Sequence, residues 1–188
     1  MKREKGQYGY RDSIRRTRLA VTAVLAAAVL AQLGARYLTD DQAAKNILTV
    51  MAILTVLPLA NMASPLLASW PYRTPPKDFY EKIKPYEEKC TILYDLILTT
   101  KEFVIPLDAI AVHPGGVYGY CTAKKLKVKE AEQSLNKLFT AGGLDPKMKL
   151  IQEEKSFLRR MESLKPAGEG KEDGMAEAAV SLLKSLAM

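Results

Sequence analysis

Asp108, Cys121, Ala123 and Lys124 fall within one short stretch, DAIAVHPGGVYGYCTAKK, from residue 108 to residue 125. It reads as two strands joined by a Pro-Gly-Gly turn. Asp108 lies in an otherwise apolar strand, FVIPLDAIAV. An unpaired carboxylate buried there costs several kcal/mol, so such an acid belongs at a bulge, against backbone donors, or in a site. A carboxylate is a hard oxygen ligand suited to Mg²⁺, and a lysine close by could position water or stabilise developing charge. Cys121 on the following strand offers a thiol, and a thiol is a poor Mg²⁺ ligand. Cys121 with His113 as its base would be a different chemistry, nucleophilic catalysis. His113 sits beside Pro114 in the turn with no third orienting residue evident. A free cysteine is more often a small apolar packing residue.

The surrounding elements must position these residues. KDFYEKIKPYEEKC reads as an amphipathic helix interrupted near Pro85, and TILYDLILTT as a strand. FVIPLDAIAV follows as a second strand, in which Pro106 suggests an edge position or a bulge. VYGYCTA is a third strand. The period then changes: Val128, Ala131, Leu135, Leu138 and Phe139 in KVKEAEQSLNKLF have helical spacing. Gly142 and Gly143 stop that helix. KMKLI is a short fourth strand and QEEKSFLRRMESL a helix. KPAGEGKEDG has linker composition, and MAEAAVSLLKSLAM closes the chain as an amphipathic helix too short to span a membrane. The expected class is α/β, in the order α-β-β-β-α-β-α.

The hairpin and its flanks, ILYDLILTTKEFVIPLDAIAVHPGGVYGYCTAKK, resemble the nuclease-related domain (NERD) family of the PD-(D/E)XK nuclease class. The matching positions are Asp108, Ile110, Val112, His113, Pro114, Gly116 and Val117, and the similarity covers roughly residues 78 to 160. The resemblance implies a metal-dependent nuclease site in which a strand Asp and the Glu of an E-x-K motif hold Mg²⁺. That Glu position is Cys121 here, and the Lys position is Ala123. Lys124 is one place off, and on a strand one residue of shift points a side chain to the opposite face. The resemblance therefore implies a degenerate nuclease-like site. Two rescues are conceivable: Glu81, Glu87 or Glu88 on the preceding helix could join Asp108 at a metal, and a bulge at Gly119 could bring the lysine into register.

Two long uncharged runs precede this domain, Leu19 to Ala35 and Asn46 to Tyr72. About 20 apolar residues cross a bilayer core. The second run suffices, and the first reaches span length if Arg18 and Arg36 snorkel. Pro58 should kink the second span and Pro65 end its regular part. Asn61 is its one strongly polar side chain, placed to bond a carbonyl freed by proline or a neighbouring helix. Residues 1–18 carry seven basic and two acidic side chains, while the ten residues between the runs carry two of each. Basic flanks stay cytoplasmic, so the expected location is the cell membrane, multi-pass, with both termini cytoplasmic. Trp70 and Tyr72 stand where an interfacial anchor belongs. Residues 74–188 carry 18 basic and 17 acidic side chains, a balance that disfavours tight duplex binding. Two cysteines and one histidine provide neither a zinc pattern nor a disulfide framework.

The expected organisation is a basic arm (1–18), a two-helix membrane hairpin (19–72), a nuclease-like domain (77–164), a flexible linker (165–174) and a C-terminal amphipathic helix (175–188). The function expected is binding or assembly at a membrane by a catalytically degenerate domain, through a protein partner or self-association, with no cofactor. Two rivals are a membrane-tethered, Mg²⁺-dependent nuclease acting on nucleic acid, and a small membrane subunit docking on a larger complex.

Overall fold

A computed structural model describes residues 3–145, 148–165 and 173–188. The chain divides into two compact units, one built from Ser13–Pro71, the other from the residues through Asp12 together with those from Tyr72 onward.

The first unit is a pair of helices, α1 (Tyr10–Leu38, whose first turn belongs to the other unit) and α2 (Gln42–Ser69). Asp41 starts α2 by accepting hydrogen bonds from the Ala43 and Ala44 amides, which satisfies donors that a helix N-terminus leaves free. Both helices are long and apolar enough to cross a membrane. Most of their large apolar side chains stay exposed, with Val24 69% and Leu57 63% accessible, unlike the buried core helices of a soluble fold. Pro58 and Pro65 both lie inside α2. The helix thus continues past Pro65, where an end was expected, because an apolar run extends for another turn.

The second unit is a mixed four-stranded sheet flanked by helices. Its elements are α3 (Lys77–Ile83), a 3₁₀ turn (Lys84–Glu88), β1 (Thr91–Thr99), β2 (Val104–His113), β3 (Gly116–Tyr120), α4 (Val128–Ala141), β4 (Met148–Ile151), α5 (Glu154–Ser163) and α6 (Asp173–Leu186). The strand order is β1-β2-β3-β4. β1, β2 and β3 form an antiparallel meander, and β4 returns through α4 parallel to β3. The break expected near Pro85 is the passage from α3 into the 3₁₀ turn.

Pro106 stands within β2, opposite Ile97 of β1. β3 reaches only as far as the Ala109–Tyr120 pair. At Pro106, β2 therefore has a strand neighbour on one side alone, and the missing N–H is tolerated as it is on an edge. Gly119 pairs in unbroken register with Ile110, so the bulge that would move Lys124 does not exist. A Cβ at Gly119 would stand 2.8 Å from the Met148 methyl and 3.0 Å from Leu150; glycine is what lets β4 and its side chains close over β3.

One core lies between the sheet and α3 and α5, with Phe79, Ile83, Tyr120, Phe157 and Met161 at its centre. α6 packs on β1 and β2, burying Ala179 and Leu183. The C-terminal amphipathic helix, set apart in the sequence reading, thus belongs to the same unit as the sheet. The linker expected at 165–174 falls mostly outside the described residues.

β1 is an edge strand, and both chain ends cover it. Gly6 bridges to Tyr94 and Ala187 to Leu98, with the Tyr94 amide donating to the Gly6 carbonyl at 2.8 Å and the Met188 amide to the Ile97 carbonyl at 3.1 Å. An uncovered edge would invite pairing with other chains. Gly6 needs its hydrogen side chain: φ is +93° and an added Cβ would meet Leu93 at 2.8 Å. Lys5 donates to the carbonyl of Ala187 at 2.5 Å, and Tyr8 stacks on Tyr80 with ring centroids 4.5 Å apart. The N-terminal segment, expected as a basic arm, is from Arg3 to Asp12 a part of the folded domain.

Candidate functional site

Asp108 is 3% exposed, and the reason it can be buried is Arg11, itself 4% exposed. The Arg11 guanidinium is planar and carries five donors, of which four form hydrogen bonds. Nη1 donates to Asp108 Oδ1 at 2.8 Å and to the Arg73 carbonyl at 3.1 Å. Nη2 donates to the carbonyls of Leu96 and Leu107, at 2.9 and 2.5 Å. These two residues face each other across β1 and β2. Nε stands 3.0 Å from Asp95 Oδ1, an ion pair without the alignment of a hydrogen bond.

Asp95 is fully buried. Its Oδ2 accepts from the Arg11 amide at 3.1 Å and from the Thr74 hydroxyl at 2.7 Å. Its backbone has φ +62°, a left-handed conformation that aspartate tolerates better than most side chains. The pairs on either side, Tyr94 with Ala109 and Leu96 with Leu107, keep one register, so Asp95 and Asp108 stand opposite each other. The sheet is distorted here: Ala109 packs in the core with Tyr118 and Tyr120, whereas Leu107, two residues away, reaches the opposite face at Gly119. Strict alternation would have kept both on one face.

The result is one guanidinium between two carboxylates. Burial is the main influence on Asp95 and raises its carboxyl above the ordinary aspartate range; Arg11 and the hydrogen bonds from Thr74 and the Arg11 amide oppose this, and the charge of Asp108 adds to it. Asp108 uses its second oxygen as well, Oδ2 accepting from Thr122 Oγ1 at 2.6 Å.

Asp108 also borders a polar cleft of about 510 Å³, shared with Asp78, Lys82, Tyr120, Thr122 and Glu154. The acids that join Asp108 there are Asp78 and Glu154, the latter paired with Lys82 at 2.8 Å. Glu81, Glu87 and Glu88, the sequence candidates for a metal site, line a separate depression around Pro85. Glu87 accepts from the Tyr94 hydroxyl at 2.8 Å. Glu81 belongs to α3, and Glu87 and Glu88 to the 3₁₀ turn that follows it.

β3 ends at Tyr120, short of the strand expected through Ala123. Cys121 follows it, fully buried, its amide donating to the Ile151 carbonyl at 2.9 Å. The Ala123 carbonyl takes a hydrogen bond from Gln152, and Lys124 is exposed in a turn. Burial raises the Cys121 thiol, partly offset by a backbone hydrogen bond, and the charge of Asp108 raises it further. A thiol held protonated is a poor nucleophile. His113 is five residues from the Asp108 level of β2, about 17 Å along the strand, and its ring bonds the Gly115 amide and the Lys165 carbonyl. The Cys121–His113 pair does not assemble.

Among the described residues, no three His, Cys, Asp or Glu side chains converge as a metal site. The Asp108 oxygens already have donors, and the position facing them holds a thiol. These residues do not fit the Mg²⁺ that the nuclease resemblance implies, and we derive no step through it. Sequence reasoning found Asp108 and missed Arg11, Asp95 and Thr122. Asp95 carried the same signal as Asp108, a lone acid in an apolar strand. Arg11 carried none, being one basic residue among seven at the N-terminus.

No protein-family model, curated protein or solved structure matches the chain.

Proposed function

We propose that this chain is an integral membrane protein whose α/β domain is a degenerate, non-catalytic relative of the nuclease-related domain and serves assembly at the membrane. The observation that carries this reading is the Arg11–Asp95–Asp108 cluster. The acid at the metal position of the resemblance is bound to a guanidinium from the N-terminal segment, so it works as a structural latch. The order α3-β1-β2-β3-α4-β4-α5 accords with the resemblance, and Cys121 and Ala123 stand where its Glu and Lys would be.

The latch also bears on topology. Arg11 and Arg73 flank the helix pair and are hydrogen-bonded to each other through the Arg73 carbonyl. A domain assembled from both sides of a two-helix insertion requires the insertion to leave and re-enter on one side of the bilayer. The basic residues before α1 support the cytoplasm as that side. The native thiols, Cys90 and Cys121, are buried, and burial lifts Cys90 to about 11, so an introduced cysteine can be read alone. Gln42→Cys should react with an impermeant maleimide added outside intact cells, and Lys155→Cys should react only after permeabilisation. The opposite pattern would overturn the orientation.

The rival enzyme reading is tested on the full chain in lipid nanodiscs. No Mg²⁺- or Mn²⁺-dependent cleavage of single-stranded DNA, duplex DNA or RNA is expected. Cleavage that Asp108→Asn abolishes, while the variant stays folded, would replace the assembly reading with a tethered nuclease.

A further inference from the structure

The helix pair Ser13–Pro71 carries few polar side chains in its apolar part, and they are not treated alike. Gln32 of α1 and Thr55 of α2 bond each other, with Gln32 Nε2 3.3 Å from Thr55 Oγ1. Asn61 is exposed on α2, and among the described residues no hydrogen bond to its side chain exists. It lies nine residues before Trp70, about 14 Å along the helix axis, in a hydrocarbon layer about 30 Å thick. An amide at that depth has no water to bond and is costly when left alone.

Two backbone groups share its situation. Pro58 has no N–H to offer the Leu54 carbonyl, and Pro65 has none for the carbonyl of Asn61. Leu54, Pro58, Asn61 and Pro65 follow one another at spacings of four, three and four, which is one stripe of a helix. Leu54 is 59% accessible, and Pro58 is also exposed. One face of α2, exposed at Leu54, Pro58 and Asn61 and half-buried at Pro65, thus gathers an unbonded primary amide and two carbonyls deprived of their helical donors. Ser64, exposed on an adjoining row, is small enough to let a second helix approach.

We propose that this stripe is where α2 of one copy packs on α2 of a second copy, around a twofold axis near Asn61. The proposal rests on the reading of α1 and α2 as membrane spans. The occupant follows from the chemistry of the amide. Asn carries two N–H donors and an acceptor oxygen, so two Asn61 side chains related by a twofold satisfy each other without a different partner. Each then has one N–H left for a carbonyl that a proline has freed. Such an interface uses the same patch on both copies, as a twofold requires. A lone Asn buried between apolar helices also fixes register.

The test uses the full chain in phosphatidylcholine–phosphatidylglycerol vesicles, with donor and acceptor dyes on Gln42→Cys and energy transfer followed as the lipid-to-protein ratio is raised. The parent is expected to show saturable transfer. Asn61→Leu, which makes the span more apolar and keeps insertion intact, should weaken the apparent association about tenfold. Asn61→Gln should recover part of it, and Leu67→Ala should leave it unchanged. Carbonate extraction of the same vesicles separates the two readings. Protein released by carbonate would defeat the membrane assignment itself. Protein that is retained but shows no transfer, or shows equal transfer in the parent and Asn61→Leu, would overturn the Asn61 interface alone.

Discussion

Arg11→Met is expected to lower the stability of the α/β domain by about 3–5 kcal/mol, the usual cost of removing one partner from a buried ion pair. Domains of this size hold only about 5–15 kcal/mol in total, so the variant should lie near the edge of folding. The reason is arithmetic of charge. Two buried carboxylates face each other across β1 and β2, and Arg11 is the cation between them. Without it both lose an opposite charge in a medium that screens poorly, and the carbonyls of Leu96 and Leu107 lose their shared donor. Chemical denaturation of the full chain, followed by far-ultraviolet circular dichroism, reads the change. The triple variant Arg11→Met, Asp95→Asn, Asp108→Asn should be more stable than Arg11→Met, since it removes the uncompensated charges along with the cation. A single Arg11→Met variant as stable as the parent would mean that the cluster is not a latch.

The same cluster has a pH signature. The Asp95 carboxyl is raised by burial, so between the ordinary aspartate range and its raised value the native state holds a proton that the unfolded chain has already released. Stability contributed by this group is therefore greatest in acid and falls as pH rises through that window. The stability of the parent relative to Asp95→Asn should accordingly increase as pH is lowered from neutrality towards about 4.

The second large effect is expected from Cys121→Glu, which restores the carboxylate that the nuclease resemblance calls for. Cys121 is fully buried and already feels the charge of Asp108. A carboxylate in its place meets the same burial and the same repulsion with no cation in reserve, because Arg11 is shared between Asp95 and Asp108. The expected loss is several kcal/mol, larger than that of Cys121→Ala. Mg²⁺ or Mn²⁺ at millimolar concentration should leave the melting temperature of Cys121→Glu where it is. A metal that binds only the folded state must stabilise it, so a rise that vanishes when Asp108→Asn is added would show that Asp108 remains available as a ligand despite Arg11 and Thr122.

Much of this architecture is legible in the sequence alone. The two long apolar helices announce themselves through uncharged runs, the three-strand meander through stretches of strand formers between turn signals, and α4 through helical spacing of its apolar residues. Element ends were less secure. β3 stops before Cys121, and α2 runs through Pro65, since an end is set by what the neighbouring strand or helix offers and not by the residue alone.

The site divides along the same line. A single acid in FVIPLDAIAV had to be compensated, and that much followed from the sequence through the cost of burying charge. What compensates it did not. Arg11 meets Asp95 across 84 residues and Asp108 across 97, with a two-helix insertion between. No periodicity or composition links positions so far apart, and an arginine among seven basic residues looks like topology signal. Only the folded chain, by laying the N-terminal segment along the edge of β1, turns one of those charges into the centre of the domain. The sequence by itself determined the elements and the need for a partner at Asp108; the tertiary structure chose the partner, because long-range ion pairing depends on proximity in space alone.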